Sequence, residues 1–198
     1  MMKKMIFLLT AILLLAGCSR SSKQAQGPEV PSLLLGALSF GDRPEQALQS
    51  LYTLGYKDAA SGEQDEHFDT IPAADGGAVT LLKIVVPADT AGVRYLGLQW
   101  ANVQLQLDDA GLYSVTLHSP FASPEVTGKR YVALLRALEA KGYRMMRTVV
   151  GTSQQEGEAA DIVGHRYTSG SSLMQCYINQ DPDGTQSISL NFTQQAKQ

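Results

Sequence analysis

The sequence predicts an α+β domain, a mainly antiparallel sheet with two helices packed on one face. Two observations carry that expectation. Amphipathic stretches near residues 42–54 and 128–141 each run into a glycine, as helices do. Each is followed by several short runs of aliphatic or alternating residues separated by turn signals, as in an antiparallel meander.

Taken in order, the chain opens with Lys3 and Lys4 before an apolar run of 11 residues, MIFLLTAILLL at 5–15. That length suits the core of an export signal and falls short of the roughly 20 residues that span a bilayer. Leu15-Ala16-Gly17-Cys18 closes it. An aliphatic residue, two small residues and a cysteine resemble the bacterial lipobox at every position. The resemblance implies a lipoprotein signal peptide at 1–17, cleavage before Cys18, a diacylglycerol on the Cys18 sulfur and an N-acyl chain on the new amino terminus. Each buried methylene is worth about 0.8 kcal/mol, and two or more chains anchor stably where one does not. The alternative is an ordinary secretory leader that happens to end at a cysteine. Ser19 is not the Asp that retains lipoproteins in the inner membrane under the sorting rule of enteric bacteria, which points to the outer membrane. Arg20 and Lys23 make a basic start, unlike an acidic surface-export tag, which points to the periplasmic face.

The chain carries 16 Lys and Arg against 19 Asp and Glu, net −3 over 198 residues, and loss of Lys3 and Lys4 takes this to −5 (−3 − 2). Mild acidity without a basic stripe argues against nucleic acid as a partner. The 181 residues that remain (198 − 17) are enough for one core, so a single domain over 32–195 is expected. With Cys18 committed to lipid, Cys176 is the remaining thiol, and stability has to come from packing rather than an intrachain disulfide. Residues 19–31, SRSSKQAQGPEVP, are too polar to bury and form a flexible tether after the lipidated Cys18, about 45 Å long when stretched.

Residues 32–40 read as a first strand. Asp42, with Glu45 reciprocating, caps a helix whose apolar face is Ala47, Leu48, Leu51 and Leu54 and which Gly55 ends. A long loop follows at 57–77, with a short strand near Phe68. Residues 78–87, AVTLLKIVVP, read as a central strand. Strands follow at 93–98, at 102–107 with Val103, Leu105 and Leu107 on one face, and at 112–118 with Tyr113, Val115 and Leu117 on one face. The second helix, 128–141, is capped by Thr127, buries Tyr131, Leu134, Leu135 and Leu138, and stops at Gly142. Three or four more strands are expected, near 143–150, 161–168, 172–179 and 185–193, the last two joined by the turn Asp181-Pro182-Asp183-Gly184. Met174, Cys176 and Ile178 should then face Ile188, Leu190 and Phe192.

Leu48, Leu51, Gly55 and Tyr56 recur as Leu135, Leu138, Gly142 and Tyr143 at an offset of 87 residues (135 − 48). This suggests tandem helix-plus-meander repeats, with halves at 32–120 and 121–195, although amphipathic helices ending in Gly produce much of the pattern unaided. The layout resembles small envelope lipoproteins of the β-barrel assembly machinery, the β-lactamase inhibitor protein, and uncharacterised lipoproteins of Gram-negative anaerobes. What the resemblance implies is a noncatalytic binder. It rests on layout, and no site residue comes with it.

G-x-S-x-G, H-E-x-x-H, P-loop, G-x-G-x-x-G and C-x-x-C motifs are absent from the sequence. Glu63, Asp65, Glu66, His67 and Asp69 form an acidic stretch in which Asp65, His67 and Asp69 are weak calcium candidates, a solvated loop being favoured. Cys176 with His165 suggests a nucleophile and base, but a thiol between Met174 and Ile178 reads as a buried core residue. His118 reads as a turn residue. Tyr95, Trp100 and Tyr113 offer a recognition surface, against the favoured reading of Trp100 as a core plug. The expectation is a noncatalytic, lipid-anchored envelope protein with no cofactor besides its lipid, binding another envelope protein. The alternative is a small-ligand or calcium binder.

Overall fold

The computed structural model describes residues 38–59, 68–72, 80–89, 93–155, 158–169 and 172–194. Leader, Cys18 and tether lie outside them, as do 32–37 of the expected first strand; Leu38 and Ser39, which are described, are not in a strand, and Phe40 and Gly41 turn. The described residues hold two helices and eleven strands, and the fold is α+β as expected. In chain order they are α1 (Pro44–Thr53), β1 (Tyr56–Asp58), β2 (Asp69–Ile71), β3 (Thr80–Pro87), β4 (Val93–Tyr95), β5 (Leu98–Trp100), β6 (Asn102–Asp108), β7 (Gly111–His118), α2 (Pro124–Ala140), β8 (Met145–Gln155), β9 (Glu158–Ser169), β10 (Ser172–Gln180) and β11 (Gln186–Gln194).

Nine strands form one antiparallel sheet in the order β1-β3-β6-β7-β11-β10-β9-β8, with β2 pairing β3 as well. β1 takes the Val85 end of β3 and β2 the Thr80 end, so the two share one edge end to end. The seam of the sheet is β7 against β11, where the two meanders meet. The order is symmetric about that seam. The 87-residue offset, however, holds only through the helix ends, since β7 and β11 begin 75 residues apart (186 − 111).

Both helices lie on one side of the sheet, α1 against β1 and β7 and α2 against β11. The apolar positions beneath them alternate with period 2, broken once by a bulge in β7: Val103, Leu105 and Leu107 on β6, Leu112, Val115 and Leu117 on β7, Ile188, Leu190 and Phe192 on β11, Met174 and Cys176 on β10. Opposite one another stand Met174 and Phe192, Cys176 and Leu190, Ile178 and Ile188, the pairing that alternation predicted. Leu134 and Leu138 of α2 are fully buried on this core, worth roughly 2 kcal/mol each.

Several local expectations are corrected. α1 begins at Pro44 with Arg43 as its cap, whose N–H is bonded by Gln46 Oε1 at 3.1 Å. Asp42, instead of capping the helix, accepts from Ser39 N and so ties the preceding turn. α2 starts just over a turn early, with Ser123 accepting from Val126 N and Pro124 in the first position, where a missing N–H costs nothing. Thr127 is buried inside the helix and its hydroxyl donates to Gln186 O at 3.2 Å. β3 is not central; it is the second strand from an edge, so its aliphatic residues are only partly covered on the side away from the helices, where Ile84 is 39% exposed. The expected strand at 93–98 is a hairpin, turning at Leu96 (φ 53) and Gly97 (φ 77), the two left-handed residues of a tight two-residue turn. Tyr113 is an extra residue in β7, bulged between Leu112 opposite Leu107 and Ser114 opposite Gln106, so it leaves the face that Val115 and Leu117 share.

The start of α1 is docked on the β6–β7 hairpin through Gly41 N to Leu112 O (2.8 Å) and Leu112 N to Asp42 O (2.9 Å). Gly111, at φ +105, leaves no space for a Cβ, which would run into the Gly41 carbonyl. Gly55, at φ +89 after α1, has open space around it. Gly55→Ala should therefore cost about 1 kcal/mol of backbone strain in urea denaturation. Gly111→Ala should cost more, about 3 kcal/mol, because the strain is joined by a steric clash with backbone.

Candidate functional site

The side of the sheet away from the helices is built by the same alternation, one residue out of phase with the core. Three cross-strand rows result. The first is Asn102, His118, Ser189 and Tyr177; the second is Ile84, Gln104, Thr116, Asn191, Gln175 and Arg166; the third is Leu82, Gln106, Ser114, Thr193 and Leu173. Ser187 opposite Asn179 extends them at one end. On the four central strands these rows comprise fourteen side chains with no Asp, Glu, Lys or Arg among them, and beyond the rows the same alternation reaches the charged Asp108 at the hairpin end of β6. A solvated face of that size ordinarily carries about four charges. The face is therefore neutral and polar, with Leu82, Ile84 and Ile71 adding an aliphatic margin on one flank.

Its polar groups are largely wired to one another. Asn191 Nδ2 donates to Ser114 Oγ (3.0 Å) and Thr116 Oγ1 (2.8 Å), and Thr193 donates to Asn191 Oδ1 (2.7 Å). Asn179 Nδ2 donates to Ser189 Oγ (2.6 Å), which lies 2.8 Å from His118 Nδ1. An amide NH2 can only donate, so the Ser189 oxygen accepts from it, while the His118 tautomer sets the direction of the bond between Ser189 Oγ and His118 Nδ1. Burial holds the His118 pKa below the usual histidine value, which favours the neutral ring. With its amide oriented to suit its donors, Gln175 accepts from Arg166 Nε (3.1 Å) and Nη2 (2.7 Å). Ser114, Thr116, Ser187 and Ser189 are buried beneath their longer neighbours, Ser189 completely. The fixed groups form a rigid floor, above which the half-buried amides of Gln104 and Gln106 stand on β6.

On the helix side, Tyr131 of α2 reaches down to β9 and β10. Its hydroxyl donates to Cys176 O (2.8 Å) and lies 2.9 Å from His165 Nδ1, while the Cys176 thiol points at the same hydroxyl at 3.7 Å. Sequence reasoning paired Cys176 with His165, and the two do stand opposite each other on β10 and β9. What separates them functionally is Tyr131, which occupies the position a base would need. Burial pushes the Cys176 thiol up to about 11, and the residue is wholly inaccessible, so the thiolate that a nucleophile requires is suppressed. The cluster is a core polar network.

Of the aromatic candidates, Trp100 is fully buried, with Nε1 donating to Tyr95 O at 3.2 Å, and Tyr95 is buried beside it. Neither offers surface. Tyr113 does, because the bulge turns it to the outer face, where its hydroxyl lies 3.2 Å from Thr80 Oγ1. Asp65 and His67 lie outside the described residues, and Asp69 is exposed on β2. Among the described residues no group of three His, Cys, Asp or Glu could hold a metal. A shallow groove of about 570 Å³ runs between α1 and β1, past Leu48, Tyr52 and Asp58. Its Asp58 is already engaged by the Tyr52 hydroxyl (2.7 Å) and by the buried Lys83 (3.4 Å).

Sequence reasoning passed over the outer face. The signal was present: NVQLQLD, LMQCYINQ and QSISLNFTQ place an uncharged polar residue between nearly every pair of core residues. It takes the strand order to put these segments side by side.

At the amino terminus, the model of a prokaryotic membrane lipoprotein lipid attachment site matches residues 2–19. The chain is thus attached to a membrane by lipid, and among the described residues no helix is long and apolar enough to cross one. Comparison with curated proteins and with solved structures finds no match. The likeness of layout to assembly-machinery lipoproteins and to the β-lactamase inhibitor protein therefore has no sequence match behind it.

Two measurements check this reading of the titratable groups. A thiol reagent at pH 8 should leave Cys176 unmodified in the native protein and modify it on unfolding. His118 binds its proton less readily folded than unfolded, so stability should fall as pH drops below about 6.5. His118→Asn, which keeps a polar partner for Ser189 but cannot titrate, should flatten that decline between pH 7 and 5.

Proposed function

We propose that this lipid-anchored chain is a noncatalytic accessory module at the outer membrane, facing the periplasm, which docks an envelope protein on the outer face of its sheet. The observation that carries the reading is the uncharged centre of that face. Loss of charge over a central patch is the compositional mark of interface cores, whereas a merely solvated sheet face keeps Lys and Glu. The wiring beneath it favours docking too, because side chains already fixed by hydrogen bonds lose little freedom when covered. Ser19 and the basic start support the membrane and the side. The inaccessible Cys176 supports the absence of thiol chemistry.

Photo-cross-linking in intact cells tests this. A cross-linking residue at position 104, on the outer face, should yield a discrete protein adduct, and one at 132, on the exposed side of α2, should not. Equal, diffuse labelling from both positions would remove the sheet face as the docking surface. Cys18→Ala should release the chain from the membrane fraction and reduce the adduct at 104, since the tether concentrates both parties at one surface.

A further inference from the structure

We propose that the groove between α1 and β1 takes up an extended peptide segment of another protein, with a basic side chain on its α1 side, and that this segment pairs with the free edge of β1 as an added strand. The site is separate from the outer face of the sheet and does not depend on it.

The edge is read from the hydrogen bonds. Ala88 N donates to Gly55 O (2.7 Å) and Ala59 N to Ile84 O (3.2 Å), so Gly55, Lys57 and Ala59 are the residues that β1 bonds to β3. Tyr56 and Asp58 belong to the alternate pairs. Their N–H and C=O groups point away from β3, two donors and two acceptors in line, with no backbone partner among the described residues. The two sets stand about 7 Å apart, the two-residue repeat of an extended chain. The opposite edge of the sheet has no such regular line, because β8 shifts register three times against β9 between Met145 and Gly151.

α1 supplies a wall beside the free edge. Glu45, Leu48, Gln49 and Tyr52 recur at helical spacing along one flank and, with β1, line the groove of about 570 Å³. That volume lies within the range of ligand clefts, roughly 300–1,000 Å³. No residue of β3 lines the groove, which places it along the free side of β1 and not over the sheet.

The wall selects the segment. Residues of an added strand that bond Tyr56 and Asp58 share their side of the sheet, the side of α1. There they meet Leu48 and the ring of Tyr52 at one end of the groove. At the other stands Glu45, exposed and with no ion pair among the described residues. Asp58 already has Lys83 as its counter-charge at 3.4 Å, so Glu45 is the open charge. The complementary segment therefore places apolar residues over Leu48 and Tyr52 and a Lys or Arg toward Glu45. Only Leu54 and Gly55 join α1 to β1, so β1 starts beside Tyr52 and runs toward Glu45, and an antiparallel partner enters with its basic residue first.

The test uses the purified, lipidated full-length protein in nonionic detergent and a fluorescent, amidated heptapeptide, Thr-Lys-Thr-Val-Thr-Val-Thr, whose lysine and valines fall on one side. Anisotropy should show saturable binding. Glu45→Lys should weaken it at least about tenfold and favour the peptide with glutamate in place of lysine, a charge swap that attachment to detergent does not reproduce. Gln49→Trp, which fills the groove from an exposed position, should weaken binding at least about tenfold with the circular dichroism spectrum unchanged. N-methylation of the lysine and valines should abolish binding and N-methylation of the inner threonines should not, because the first set alone donates to β1. The inference is overturned by no saturable binding up to about 1 mM peptide, by binding indifferent to Gln49→Trp, by equal loss from both methylation patterns, or by a Glu45→Lys variant that still prefers the lysine peptide. None of these outcomes bears on the adduct at position 104, so the two docking readings fail separately.

Discussion

The structure depends on the pairing of β7 with β11. Five residue pairs, from Ser189 opposite His118 to Thr193 opposite Ser114, join two meanders that would otherwise be separate sheets. The alternation of strand side chains makes this seam serve both surfaces at once. Leu117 beside Leu190 and Val115 beside Phe192 continue the core, while Thr116 beside Asn191 and His118 beside Ser189 continue the outer face. A slip of one residue would exchange the two, burying hydroxyls under the helices and exposing Phe192. The amide of Asn191, bonded to Ser114 and Thr116 across the seam, fixes the register from the polar side as firmly as the core does from the apolar side.

Burial decides what the reactive groups of this protein can do. Cys176, His165 and Tyr131 lie within hydrogen-bonding reach, a combination that in an open cleft would suggest nucleophilic chemistry. Beneath α2 the same groups satisfy one another, and the thiol stays protonated because its charged form has no solvent to stabilise it. Lys83 follows the same logic. It sits on the core side of β3, and the Asp58 carboxylate, oriented by Tyr52, supplies the counter-charge that such burial requires. In both places polar groups connect a helix or an edge strand to the sheet, and their role is positional.

The two faces of the sheet thus divide the work of the domain. One is closed by α1, α2 and the β4–β5 hairpin, with Trp100 and Tyr95 in its core, and supplies the stability of a domain in which Cys176, buried and free, makes no disulfide. The other is left open, neutral and internally bonded. A lipid anchor holds the chain at a membrane surface.

The sequence by itself determined what depends on neighbours along the chain. The attachment segment ending at Cys18, the buried stripe of α2 through Leu134 and Leu138, the Asp181–Gly184 turn and the facing of Met174, Cys176 and Ile178 toward Phe192, Leu190 and Ile188 are all local periodicity and turn chemistry. Tertiary structure decided the rest. β1 has only three residues and no pattern apart from β3, the Leu96–Gly97 turn puts a leucine where turn chemistry calls for asparagine or glycine, and the bulge at Tyr113 exists only in the register of β6 against β7. The outer face is the furthest from the sequence, since the groups that meet in it, such as Ser114 and Asn191, lie 77 residues apart. Alternation tells each strand which residues share a side, but only long-range pairing, whose loop-closure cost no local signal reports, tells which strands share a face.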